Sequence, residues 1–222
     1  MSLIGLQIYL ALKFIFLIPK KNVSTFLLLI GISIPEIDSI FVFISNIFAS
    51  SDNKIYLFDK NLTHSIISIG IIYLLFLIIY EIKKNDSILK AGNGIVFGMI
   101  INITFDLLIR IGNIDIFWPL PIATIEKYQY SNIMFNTFLI MEFIFFRLMY
   151  NEFINLILKK GESSSYIKYL SYWMKILTLF IFIFLITIIF FNSIAMTIFN
   201  LLYVISYLTV FVSIYKLKEI IK

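Results

Sequence analysis

The sequence predicts an all-α fold, a polytopic transmembrane helical bundle of about seven spans. Three observations predict it. Hydrophobic residues make up 61% of the chain and charged residues 14%, against roughly half and a quarter in soluble globular proteins. Apolar runs recur at the length of a spanning helix, about 20 residues. Lysines gather between those runs, mostly on alternate connectors. No stretch is polar enough to form a soluble domain, so residues 1–222 read as a single membrane-embedded domain. The absence of cysteine excludes disulfides and thiolate metal sites. The net charge of +5 belongs to lysines flanking spans, which points to membrane lipids as partners and not to nucleic acid. The N-terminus lacks the basic region and small-residue cleavage site of a signal peptide.

The first segment, residues 2–18, ends at Pro19 and Lys20-Lys21. The second, 23–48, is interrupted by IPEID at 34–38. Pro35 breaks a helix there and frees carbonyls, which is tolerated only beside protein or a wet cavity. The third, 62–81, opens in DKNLTHSIISIG, which holds the chain's one histidine, His64. The fourth is 91–111. Residues 112–131 carry Trp118, Pro119 and Pro121 and suit an interfacial loop or lid. The fifth, 132–150, extends towards Lys159-Lys160. The sixth and seventh, 172–191 and 194–215, are split by a hairpin at Asn192-Ser193.

On this count one face of the membrane collects Lys20, Lys21, Lys83, Lys84, Lys90, Lys159, Lys160, Lys168, Lys216, Lys218 and Lys222. The other collects Lys54, Lys60 and Lys127. The positive-inside bias then sets the N-terminus outside and the C-terminus in the cytoplasm.

Ionisable groups inside spans cost roughly 2.5–3.5 kcal/mol each on insertion scales, so each calls for a partner or a role. The candidates are Glu36, Asp38, Asp106 and Glu142, with Gln7, Asn102 and His64 as cheaper polar groups. At about 1.5 Å per residue, Gln7, Asp38, His64, Asn102 and Asp106 fall in the outer half of the bilayer. Asn102 lies one turn below Asp106 on the same helix face. Asp38, His64 and Asp106 have the ligand types of a divalent metal site. Structural readings stand beside that one. Thr63 or Asn61 caps the third helix, Asp106 pairs with Arg110 on the next turn, and Glu36 and Asp38 line a break.

The order of IPEID at 34–38, DKNLTHS at 59–65, NITFD at 102–106 and FWPLP at 117–121 resembles the YdjM-like family of membrane-bound metal-dependent hydrolases. That family carries an N-terminal histidine, then PDxD, HRxxTHS and HxxxD motifs. The resemblance covers about residues 1–125, and residues 126–222 match only as apolar helices. Asp38, Thr63, His64, Ser65 and Asp106 match the motifs. Glu36 stands for an aspartate, Lys60 for an arginine, and Asp59, Asn102 and Gln7 stand where the family has histidines. The resemblance implies metal-assisted hydrolysis of a phosphoester or lipid at the outer face. Asp38, Asp59, His64 and Asp106 would be ligands, Glu36 the base, and Lys60 and Asn102 the substrate contacts, with Gln7 and Ser65 beside them. An oxygen-rich set with one imidazole favours Mg²⁺ or Mn²⁺ over Zn²⁺.

The replaced histidines leave a second reading open, a catalytically inactive structural or accessory subunit that meets partner membrane subunits through its final apolar hairpin. A transporter is disfavoured, since neither inverted repeats nor paired broken helices are visible.

Overall fold

A computed structural model describes residues 3–14, 22–38, 63–109, 113–120, 122, 124–126, 128–160 and 164–218. The described residues form seven α-helices: α1 (Ile4–Lys13), α2 (Thr25–Ser33), α3 (Ile66–Lys83), α4 (Asp86–Ile109), α5 (Asn132–Lys159), α6 (Ser164–Phe190) and α7 (Asn192–Lys216). Helices α3 to α7 are long and apolar enough to cross a membrane, so the chain is an all-α, multi-pass membrane protein. Helices α1 and α2 are the described parts of the first two expected spans. The remainder of those spans, 15–18 and 39–48, lies outside the described residues.

Helix α5 runs to Lys159, as its expected extension requires, whereas α6 begins at Ser164, eight residues before the expected start at 172. At about 1.5 Å per residue both exceed a hydrocarbon core of about 30 Å, so their polar ends continue as helix into the headgroup region. The final apolar run is interrupted at Phe191, beside the expected hairpin. The connector after α4 holds a short ladder that the sequence reading did not anticipate. Strands β1 (Ile114–Asp115) and β2 (Thr124–Ile125) are antiparallel, with Ile114 opposite Ile125.

The described residues fall into two compact units, one within Ile18–Gln129 and one made of Leu3–Leu17 and Tyr130–Lys222. In the first, α2 and α4 touch backbone to backbone. A Cβ on Gly98 would meet the Leu28 carbonyl oxygen at 2.2 Å, and one on Gly31 would meet that of Ile95 at 2.2 Å. Only glycine permits this approach. Gly94, Gly98, Asn102 and Asp106 follow at intervals of four along α4, so the face that brings the helices together also carries the two polar groups. At the far end the pair is tied by Ser24 N–H to the Lys90 carbonyl (3.2 Å) and Asn93 Nδ2 to the Asn22 carbonyl (3.0 Å).

Helix α3 reverses into α4 through Lys84, whose φ of 49° makes a left-handed cap with its N–H on the Tyr80 carbonyl. The two helices are therefore antiparallel. They share a small core of Ile69, Met99 and Ile103. Ile69 is the one buried residue of α3, so most of this helix presents Ile and Leu outward, as a lipid-facing span does.

In the second unit Phe143, Phe146, Phe184, Phe199 and Tyr203 pack in tilted, edge-on and stacked pairs around α5, α6 and α7. Tyr150 donates to Thr209 Oγ1 (2.7 Å) inside this core. Glu142 has a structural role here. Its Oε1 accepts from Gly5 N–H at 3.0 Å, one of the N-terminal amides of α1 that lack an intrahelical partner.

Gly98→Ala forces the Leu28 backbone away and is expected to cost about 1–3 kcal/mol through overpacking. A Cβ at Gly70 meets nothing within 4 Å, so Gly70→Ala serves as the control and is expected to be unchanged or mildly stabilised, since alanine is the better helix former. Thermal unfolding of the two variants in detergent checks the difference.

Candidate metal centre

The site begins at the break in α2. Pro35 supplies no N–H, and the helix tightens into a 3₁₀ turn over Ile34–Glu36 before Ile37 and Asp38. Such a change of pitch leaves carbonyls without their usual partners. Side chains from elsewhere in the unit take them up. Asn102 Nδ2 donates to the Ile32 carbonyl (2.9 Å), and Thr63 Oγ1 lies 2.8 Å from the Pro35 carbonyl. The break thus places Glu36 and Asp38, on successive sides of the turn, at the end of α2 that faces the start of α3.

Helix α3 is capped by Ser65, not by Thr63 or Asn61. Ser65 Oγ accepts from Ile67 N–H at 3.1 Å. His64 is the residue before the cap and is fully buried. Its ring stands between two sets of carboxylates. Nε2 is 2.8 Å from Asp106 Oδ2 and 3.9 Å from Glu36 Oε1. On the opposite edge, Nδ1 is 3.4 Å from Thr63 Oγ1 and 3.9 Å from Asp38 Oδ2. Asp38 Oδ2 is itself held by Thr63, from Oγ1 at 2.6 Å and from N–H at 3.2 Å. Asp106 pairs with this imidazole. Arg110, the alternative partner expected from the sequence, lies outside the described residues.

Glu36, Asp38 and Asp106 are all buried, with one imidazole among them. Buried carboxylates in an apolar medium require compensating positive charge.

Glu36, His64 and Asp106 each offer one ligand atom, and these atoms lie within 4.8 Å of one another. Ligands held at about 2.0–2.2 Å from one ion stand about 3–4 Å apart. The separations of 2.8 and 3.9 Å from Nε2 bracket that spacing, so the three residues fit a divalent ion. Two carboxylates and an imidazole are ligands for Mg²⁺, Mn²⁺ or Zn²⁺. Asp38 faces the other ring nitrogen. That is where a group that orients a metal-binding imidazole stands, whereas the sequence reading made Asp38 a ligand and Glu36 the base.

The remaining candidates divide. Asn102 is fully buried and its amide nitrogen holds the α2 carbonyl. Ser65 caps α3 and donates to the Trp118 carbonyl (2.7 Å), which ties the β1–β2 connector to the helix start. Gln7 belongs to the second unit, where it is buried with neither amide atom hydrogen-bonded among the described residues. Asp59 and Lys60 lie outside the described residues. The Thr63 bridge between α2 and His64 went unread in the sequence. Its signal was the hydroxyl directly before the lone histidine. Comparison with protein-family models, with curated proteins and with solved structures finds no match.

Thr63→Val removes a hydroxyl whose one proton is shared between Asp38 Oδ2 and the Pro35 carbonyl and is expected to cost about 1–3 kcal/mol. Thr63→Ser keeps the hydroxyl and is expected to retain most of the stability. Thermal melts of both variants beside the native chain check the ordering.

Proposed function

We propose that the chain is a membrane-embedded, metal-dependent hydrolase acting on a phosphoester or lipid substrate. The observation that carries this reading is the buried triangle of Glu36, His64 and Asp106, with ligand atoms within 4.8 Å of each other. The order of the motifs, which resembles the YdjM-like family, supports it. In this reading His64 Nε2 and Asp106 hold the ion most closely. Glu36 offers one carboxylate oxygen to the ion and the other to a proton. Asp38 and Thr63 keep the imidazole turned so that Nε2 faces the ion. A divalent cation bound there supplies Lewis acidity towards water and a phosphoryl oxygen. Lys60 is the residue assigned to neutralise a phosphate.

Depth and orientation belong to the same proposal. Helices α3 and α4 are antiparallel, so the start of α3 and the end of α4 lie at one face. The lysine distribution makes that face the outer one, with the C-terminus in the cytoplasm.

One observation favours the second reading, an inactive accessory subunit. Asn102 stands where the resembling family has a histidine, and its amide nitrogen holds the Ile32 carbonyl. The residue works as a strut between helices.

Chelator-free protein is expected to carry about one divalent ion per chain by elemental mass spectrometry, with the ion lost in His64→Ala and Asp106→Asn. Phosphoester hydrolysis in detergent is expected to disappear with the ion and to return when Mn²⁺ or Zn²⁺ is restored. A native chain that holds no ion and gains no activity from added Mg²⁺, Mn²⁺ or Zn²⁺ overturns the hydrolase and leaves the accessory subunit.

A further inference from the structure

The connector between α4 and α5 carries no charge from Ile116 to Ile125. Asp115 and Glu126 sit at its base, so polarity runs along its length, charged below and apolar at the tip. The tip side chains point outward, with Phe117 38%, Leu120 50% and Ile122 69% exposed. Ile114 at the base is buried. The ladder beneath the tip is only two residues long on each strand, and a lone ladder of that size is marginal in water.

The connector's height is set by two bonds. Ile66 N–H donates to the Ile116 carbonyl at 2.9 Å, and Ser65 Oγ donates to the Trp118 carbonyl at 2.7 Å. Ile66 is the first residue of α3 and is itself half exposed. It opens the apolar surface that α3 presents along nearly its whole length. The connector is therefore pinned where α3 enters the hydrocarbon, and its exposed apolar tip continues that lipid-facing surface.

We propose that residues 116–120 and Ile122 form a membrane-inserted tip, seated at the boundary between headgroups and acyl chains of the leaflet around the start of α3, with phospholipid as its partner. Apolar and aromatic side chains beside a charged base are the composition of an interfacial anchor. The two bonds to Ser65 and Ile66 join this anchor to the residues next to His64. The inference rests on the membrane reading and requires no metal.

Trp118 reports the depth directly. The chain has two tryptophans, and Trp173→Phe leaves Trp118 as the sole tryptophan, read by excitation at the red edge where tyrosine does not absorb. The protein is reconstituted in phosphatidylcholine vesicles doped with lipid spin-labelled at the headgroup, at a shallow acyl carbon or at a deep one. Quenching by the headgroup and shallow labels is expected to exceed that by the deep label about twofold, with little quenching by aqueous iodide. Leu120→Asp with Ile122→Asp, both at exposed positions, is expected to lower lipid quenching about twofold and to open Trp118 to iodide. Strong iodide quenching of the parent with no effect of lipid labels overturns the proposal in favour of a water-exposed loop. Protection from both quenchers overturns it in favour of a protein partner. A double variant that quenches like its parent also overturns it, because the tip would then not be the inserted element. Each readout is independent of metal content, so loss of the hydrolase reading leaves this test intact.

Discussion

Three buried carboxylates around one imidazole are the constraint from which the first unit is best understood. The ligand oxygens of Glu36 and Asp106 lie within 4.8 Å of each other. At that separation two unit charges repel by about 3 kcal/mol or more even at an effective dielectric of 20. Desolvation adds to this, since all of these groups are buried. A helix bundle holding such a cluster in a membrane requires positive charge at its centre. The geometric argument for a cation in the triangle is the spacing of its three ligand atoms, within 4.8 Å of one another.

The scaffold around the cluster meets a second demand, that every backbone group in a membrane finds a partner. Pro35 creates the difficulty by breaking α2, and Asn102 and Thr63 meet it by reaching the Ile32 and Pro35 carbonyls. Asn102 can reach because Gly94 and Gly98, on the same face of α4, let the two backbones approach. Thr63 can reach because it precedes the cap of α3. The groups that close the break are therefore neighbours in sequence of those that form the cluster, Asp106 on α4 and His64 before α3. Fold and site share their supports, which ties the position of the carboxylates to helix packing and not to loop conformation.

Much of this was legible in the chain. Apolar runs of spanning length marked α3, α4, α5, α6 and α7, because lipid demands long uninterrupted apolar helices. The polar residues Asp38, His64 and Asp106 were visible as costly groups that needed one another. The break at Pro35 was legible because a missing N–H is a covalent fact. Other features were not legible. The early start of α6 at Ser164 escaped hydropathy, since polar residues continue a helix without any apolar signal. The two-residue ladder after α4 is too short to show alternation. Ser65, not Thr63, caps α3, a choice among adjacent hydroxyl residues that local propensity does not separate.

The sequence by itself determined the class of the molecule, which polar groups fall within apolar runs and the break in α2, since composition, helix length and proline act locally along the chain. Only the tertiary structure decided which carboxylate faces which edge of His64. Asp106 and Glu36 stand at Nε2 and Asp38 at Nδ1, an assignment that depends on the rotation of α2 about its 3₁₀ turn and on the close approach that Gly31 and Gly98 allow. Residue types name the possible ligands, but the direction each side chain points is set by how helices pack, and packing is a property of residues far apart in the chain.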